Sequence, residues 1–159
     1  MLTRRILIGL LALGLLSTSA CSNIGGLLGG LPGLGGALPP INAVRVQVIN
    51  DSSFEIDPRI RYTEGTGFFS GLFGARSLDT GTLFPGDVLS LDISCDSIGR
   101  IYSQNAGQFL GDQTVGQART TRDLVRDSDF KCRDTITFTF LGDGPAFGVV
   151  VAVNGLIVE

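Results

Sequence analysis

Apolar and polar residues alternate with a period of two in three widely separated segments of this chain, and this pattern restricts the fold more than any other feature. The segments are Val44–Val48, Val88–Cys95 and Thr135–Phe140. A β-strand points successive side chains to opposite faces, so this period predicts strands with one buried and one solvated face. An amphipathic helix would instead repeat its apolar residues every three to four positions.

Further candidate strands bring the total to seven or eight. They are Ile56–Tyr62, Ile98–Ser103, Gln108–Val115 and Phe147–Val153. Pro58 has no backbone N–H, which predicts an edge strand or a bulge at that position. Asp143-Gly144 supplies turn chemistry for a hairpin near the C-terminus. Val149–Val153 is apolar at every position, which predicts a central strand covered on both faces.

This series of short strands predicts an all-β domain, a single β-sandwich of the Ig-like or a related barrel type. The segment Ala43–Glu159 has the ordinary size of one domain. A helix is indicated only at Thr120–Ser128, where Thr120 and Asp123 have the spacing of a capping pair. We therefore expect at most one short helix in the domain.

The N-terminus has the order of regions found in a secretory signal peptide. Arg4 and Arg5 form a short positive region, an apolar run follows over Ile6–Leu16, and small residues precede Cys21. A helix that spans a membrane needs about 20 apolar residues, roughly twice the length of this run. The pattern predicts that residues 1–20 are a signal peptide that is removed on export.

The residues before the predicted cleavage site resemble the lipobox of bacterial lipoproteins, usually Leu-Ala/Ser-Gly/Ala-Cys. Ser19, Ala20 and Cys21 match that motif, and Thr18 stands in place of its leucine. The resemblance implies a diacylglycerol and a fatty acid attached covalently to Cys21, which would anchor the mature chain stably to a membrane. In the lipoproteins that this motif resembles, an aspartate directly after the cysteine favours retention at the inner membrane. Ser22 occupies that position here, so the resemblance implies the outer membrane. The alternative is an ordinary secretory signal followed by a cysteine.

The two remaining cysteines, Cys95 and Cys132, both lie in the predicted domain. The exported compartment is oxidising, so we expect them to form a disulfide, which would stabilise the fold by roughly 3–4 kcal/mol in the chain-entropy model. A redox-active or metal-binding thiol pair is the alternative. Neither cysteine lies in C-x-x-C spacing, and the sequence contains no histidine.

Residues 21–42 are predicted to form a lipidated tether. Gly25–Gly36 consists of glycines interrupted by leucines and one proline, and Pro39-Pro40 follows. A flexible segment of this length spans about 25 Å root-mean-square, enough to lift the domain at 43–159 clear of lipid headgroups. The leucines of this segment have three possible interpretations: they insert into the membrane interface, they bind a partner, or they reflect only a biased linker composition.

A second glycine-rich segment, Gly65–Gly74, contains Phe68, Phe69, Leu72 and Phe73. If these side chains are exposed, they form an apolar loop that inserts into a membrane or into the groove of a partner. If the loop is a distorted hairpin, its rings fold back onto the core, as aromatic side chains usually do. We favour burial, and retain the four residues as a candidate interaction loop.

Catalytic and metal-binding motifs are lacking in the sequence. Without histidine, Ser-His-Asp and Cys-His catalysis and histidine metal sites are excluded. Asp127-Ser128-Asp129 is slightly similar to a calcium loop, but Lys131 occupies the third ligand position. Asp92 and Asp96 could in principle form a glycosidase pair. The single lysine and the net charge of −3 argue against nucleic-acid binding.

These observations predict a membrane-anchored lipoprotein that acts as a non-enzymatic binding or structural module of the cell envelope. Its partners would be the membrane, through the lipid on Cys21, and an envelope protein or polymer that binds sheet edges or loops. No further cofactor or metal is expected. An alternative is a carrier of a lipid or another apolar ligand, suggested by the ten phenylalanines and the leucine-rich tether. A third hypothesis, a hydrolase that uses carboxylates alone, requires two acids facing each other across a cleft.

Overall fold

Twelve β-strands provide most of the regular structure in residues 38–66 and 74–159, which this computed structural model describes. The strands are β1 (Ala43–Asp51), β2 (Glu55–Asp57), β3 (Ile60–Thr63), β4 (Arg76–Ser77), β5 (Val88–Ser94), β6 (Arg100–Ser103), β7 (Ala106–Leu110), β8 (Gln113–Ala118), β9 (Leu124–Val125), β10 (Thr135–Leu141), β11 (Gly148–Val153) and β12 (Leu156–Ile157). Two short 3₁₀ turns, Cys95–Ser97 and Gly144–Ala146, are the only helical elements in these two ranges. The predicted all-β fold class is confirmed. No helix among the described residues is long and apolar enough to span a membrane.

One layer of the sandwich is a five-stranded sheet in the order β12-β11-β10-β1-β5. The first strand of the domain, β1, pairs in parallel with β10 and antiparallel with β5. Val46 lies beside Ile136 on one side and beside Leu91 on the other. The alternating pattern in each of these strands therefore places the apolar residues on one face. That face is buried in β1 and β10 and partly buried in β5.

The other layer consists of two smaller sheets, β2-β7-β8 and β4-β3-β6-β9. They are joined where β2 is followed by β3 and where β6 is followed by β7. Pro58 lies at the first junction, because β2 ends at Asp57 and β3 begins at Ile60. The predicted single strand Ile56–Tyr62 is therefore two strands that belong to different sheets, and β2, which ends just before Pro58, is an edge strand of its sheet. At the second junction the backbone of Asn105 adopts a positive φ of 49°.

The core lies between the two layers as one cluster of buried apolar residues. Val44, Phe138 and Val151 contribute from the large sheet, and Ile56 and Ile101 from the smaller ones; all five are fully buried. This cluster buries the alternating faces that the sequence predicts. The arrangement is a β-sandwich.

The helix predicted over Thr120–Ser128 is wrong. Leu124 and Val125 instead form β9, which pairs with β6. The side chains that suggested a helix cap make long-range contacts. Thr120 Oγ1 accepts a hydrogen bond of 3.2 Å from Ser103 N, and Asp123 Oδ2 lies 3.4 Å from Nη1 of Arg100. These tertiary contacts outweigh the weak local preference of the segment.

Three strand predictions are refined by the structure. Gln108–Val115 is two strands joined by a turn at Gly111, whose φ of 59° favours glycine. The hairpin around Asp143 is confirmed, but its connection includes the 3₁₀ turn Gly144–Ala146. The prediction that Val149–Val153 is a central strand covered on both faces is wrong. β11 lies next to the edge strand β12, and its outer face is half-buried.

Candidate functional site

The predicted disulfide between Cys95 and Cys132 is confirmed, with a Cα–Cα distance of 5.8 Å. It joins the end of β5 to the residues that precede β10. The backbone N–H of Cys95 also donates to Asn42 O at 2.8 Å, and that of Arg133 donates to Ala43 O at 2.7 Å. The crosslink therefore clamps the point at which the chain enters β1. We call this end of the sandwich, formed by residues 38–43, 94–97 and 131–134, the base.

The other predicted site residues fall outside the part of the chain that the structure describes. They are the proposed lipid attachment site and the candidate interaction loop: Cys21, Phe68, Phe69, Leu72 and Phe73. The acylation of Cys21 and the burial of the aromatic loop stay predictions.

The end of the sandwich opposite the base carries a set of neighbouring loops. β1 runs from the base to this end over nine residues, roughly 26 Å, and β10 runs beside it in the same direction. β5 and β11 both begin at this end. We call residues 51–55, 84–88 and 141–147 the tip.

A buried amide, Asn50, holds the first two tip segments together. Its side chain is fully buried, and its Nδ2 donates to Phe54 O at 2.8 Å and to Leu83 O at 3.0 Å. Its Oδ1 accepts hydrogen bonds from the backbone N–H of Ser52 at 3.1 Å and from the Ser52 hydroxyl at 2.7 Å. Its backbone N–H donates to Asp87 O at 3.0 Å, and its backbone carbonyl accepts from Gly86 N at 2.8 Å. One side chain thus fixes the conformation of two loops, because all of its hydrogen-bonding capacity is used within them.

A second fully buried amide, Gln108 on β7, organises the third tip segment. Its Oε1 accepts from Gly144 N at 2.8 Å, and its Nε2 donates to Gly142 O and to Asp143 Oδ1, each at 3.0 Å. Asp143 Oδ1 also accepts from the backbone N–H of Ser53 at 3.0 Å. That backbone hydrogen bond is the largest cause of the lowered pKa of Asp143, with the Ser53 side chain and Gln108 lowering the pKa further. The ionised carboxylate therefore links the third segment to the first.

Large apolar side chains are exposed on the tip. Phe84 is 55 % exposed, Val88 59 % and Leu141 37 %. Val88 lies opposite Ile49 across β5 and β1, and Leu141 lies beside Asp51 across β10 and β1. Exposed apolar side chains also occur elsewhere, at Leu38 and Ile41 of the base and at Leu156 and Ile157 of β12, each 74 % exposed. The tip is therefore distinguished by the combination of exposed apolar side chains with loops that a rigid scaffold holds in place.

Each of the three tip segments also carries acidic residues. The carboxyl groups belong to Asp51, Glu55, Asp87 and Asp143, and no lysine or arginine occurs in these segments. The Asp87 carboxylate accepts a hydrogen bond from Phe84 N at 2.9 Å, so it also closes the turn that presents the exposed ring. The tip is therefore both apolar and negatively charged.

Sequence reasoning missed this surface, although it identified the turn residues Asp143-Gly144. A turn motif indicates a loop but does not show which other loops lie beside it. The two buried amides that join them carry no local signal, since asparagine and glutamine are ordinarily exposed. An observable clue was the absence of basic residues from 46–58, 77–99 and 134–159.

The carboxylate pair considered for hydrolysis is engaged in another interaction. Asp92 forms a two-point ion pair with Arg45, with distances of 2.9 and 3.0 Å. The hydrogen bonds from Arg45 lower the pKa of Asp92, so this carboxyl group is held ionised and is poorly suited to act as a general acid. Asp96 lies in the 3₁₀ turn at the base.

The acids of the segment 127–129 close a turn. Asp129 accepts hydrogen bonds from Val125 N and from Nη1 of Arg122, both at 2.8 Å, and Asp127 lies 3.6 Å from Nε of Arg126. No group of three or more acidic or cysteine side chains in residues 38–66 and 74–159 is arranged to hold a metal ion.

Two clefts line the side of the sandwich near β3. The first, of about 460 Å³, is walled mainly by polar and charged side chains, including Arg59, which pairs with Asp57 at 2.9 Å, and Arg61, which donates to Gln104 at 2.8 Å. The second, of about 370 Å³, includes Tyr62 and other side chains from both layers. Both clefts are open to solvent. A carrier of an apolar ligand needs an enclosed apolar cavity, and neither cleft has that form.

No family model, curated protein or solved structure matches this chain significantly, so only its own residues bear on its function.

Proposed function

We propose that this chain is a lipid-anchored protein of the cell envelope whose β-sandwich is a non-enzymatic binding module. The anchor is the acylated Cys21, and the outer membrane is the favoured location. The module binds another envelope component, a protein or a polymer, through the loops of the tip.

The tip is the observation that carries this proposal. Two fully buried amides, Asn50 and Gln108, commit their hydrogen bonds to shaping the tip loops. A buried polar side chain is costly unless it is fully paired, and here the pairing rigidifies exposed loops rather than the centre of the core. Those loops present Phe84 and Val88 to solvent. A preorganised surface with exposed apolar residues binds a partner at a low entropic cost.

The position of the tip is consistent with display from a membrane. The predicted tether precedes Ala43, which lies at the base, and the tip is the opposite end of the same strand. An anionic lipid surface repels the carboxylates of the tip, and this repulsion favours an orientation with the tip directed away from the membrane.

Site-specific photocrosslinking in living cells tests the binding module. A photoreactive amino acid at Phe84 should capture one reproducible envelope partner, which mass spectrometry identifies. The same amino acid at Lys131, an exposed position of the base, is the matched control. Two results would argue against a binding surface at the tip: capture of the same species to an equal extent from both positions, or no capture from either position.

Replacement of the anchor cysteine tests localisation separately. We expect Cys21→Ser to abolish labelling by an alkyne fatty acid and to move the protein from the membrane fraction to the soluble fraction. Unchanged labelling of the variant would refute the lipoprotein assignment.

A further inference from the structure

We infer that the tip recognises a protein segment in which lysine or arginine side chains alternate with apolar ones. The inference rests on the proposed function, because it specifies the chemistry of the partner that the tip binds.

The distribution of charge on the domain supports a basic partner. Outside the tip, acids in the described residues are repeatedly paired with arginines, as in Arg45–Asp92, Arg76–Glu64 and Arg122–Asp129. None of the ion pairs among the described residues involves an acid of the tip, and the tip segments themselves contain no basic residue. Four negative charges at one end of a small domain repel one another and make the local electrostatic potential more negative, and an approaching cation relieves that repulsion.

The apolar residues of the tip lie among these carboxylates. Leu141 is the direct neighbour of Asp51 across two paired strands, which are about 4.8 Å apart. Phe84 lies in the turn closed by the Asp87 carboxylate. A lysine or arginine side chain has an apolar stem and a charged head, so a single such residue can cover the apolar group and reach the adjacent carboxylate.

The same chemistry disfavours other occupants. Anionic phospholipid headgroups and nucleic-acid phosphates would meet four carboxylates with no compensating cation. A purely apolar partner would leave the acids desolvated and unpaired at the edge of the contact, which is costly. A segment with cations at its rim and apolar residues between them satisfies both components of the surface.

Binding of defined peptides to the purified full chain in detergent tests the inference. The probe is a fluorescent peptide of alternating lysine and leucine, and the control peptide has glutamate in place of lysine. Anisotropy titrations should show at least tenfold tighter binding of the basic peptide at about 50 mM salt, and this preference should largely disappear at about 500 mM.

Substitutions separate the two components of the surface. Asp51→Asn and Glu55→Gln remove charge from side chains that make no hydrogen bond within the described residues, and each should weaken binding of the basic peptide about two- to fivefold. Phe84→Ser should weaken it about tenfold. Asp96→Asn, which removes an exposed charge at the base, is the matched control and should leave binding unchanged.

Equal binding of the two peptides, no binding of either, or an unaltered affinity of Asp51→Asn and Glu55→Gln would overturn the inference. A preference of the protein for anionic over zwitterionic lipid vesicles, measured without peptide, would also overturn the inference if the Phe84→Ser variant loses that preference. Each of these results leaves the crosslinking test of the tip as a binding surface standing, so the two proposals fail separately.

Discussion

Replacement of Gln108 by methionine tests the role of the buried amide in shaping the tip. Methionine has nearly the same length and no branch, so it fills the same space without hydrogen-bonding groups of comparable strength. The variant loses the bond from Gly144 N at 2.8 Å and those to Gly142 O and Asp143 Oδ1, each at 3.0 Å. Asp143 keeps its bond from Ser53 N, so the backbone groups of Gly142 and Gly144 bear the main loss.

The expected destabilisation follows from these two backbone groups. Leaving a buried donor or acceptor without a partner costs about 1–3 kcal/mol. Both groups are only half-buried, which places each cost near the lower end of that range, and the burial of an apolar side chain offsets part of it. The net loss in the free energy of unfolding is about 1–2 kcal/mol. For a domain of this size it corresponds to a decrease in Tm of about 4–8 °C.

Thermal and urea unfolding of the full chain, followed by circular dichroism, measures this loss. Gln104→Met is the matched control, because Gln104 is exposed and its side chain accepts a hydrogen bond from Arg61 at the surface. The control should change the free energy of unfolding by less than about 0.5 kcal/mol. If the two variants are equally stable, the amide of Gln108 does not hold the tip together, and the argument for a preorganised surface fails.

Three further predictions concern other parts of the chain. The double substitution Cys95→Ala/Cys132→Ala should lower the free energy of unfolding by about 3–4 kcal/mol in urea titrations, and an unchanged transition would show that the crosslink is dispensable. Because the pKa of Asp143 is lower in the folded than in the unfolded state, its contribution is present above pH about 4 and is lost as the pH falls through the folded-state pKa. The stability gap between the wild type and Asp143→Asn should therefore narrow in acid, and a constant gap from pH 7 to pH 2 would contradict this. Phe69→Ser should decrease the free energy of unfolding by about 3–5 kcal/mol if its ring is in the core, and by less than about 1 kcal/mol if it is exposed; thermal melting separates the two cases.

The strands of the large sheet were predictable because their signal is local. In Thr135–Phe140 every second residue is apolar, and the structure buries Ile136, Phe138 and Phe140 while leaving the threonines on the outer face. The same holds for β1 and in part for β5, where Ile93 is buried and Leu89 and Leu91 are half-buried. A period of two over six or more residues has one simple solution, a strand with one covered face, whatever the rest of the chain does.

The error at Thr120–Ser128 shows where local reasoning ends. Its polar residues are compatible with a short helix, but their contacts lie elsewhere in the chain. Leu124 is buried in the core beside β6, and Asp123 reaches Arg100. A short helix gains too little from its own hydrogen bonds to compete with burial of a leucine and pairing with an existing sheet.

The sequence by itself determined the longer strand-forming segments, the predicted anchor motif and the pair of cysteines available for a disulfide. These properties depend on neighbouring residues or on counting. Only the tertiary structure decided that β1 pairs in parallel with β10, that the disulfide clamps the base, and that Asn50 and Gln108 assemble the tip from distant segments. Strand order and loop contacts depend on how separate apolar faces share one core, and no short window of sequence contains that information.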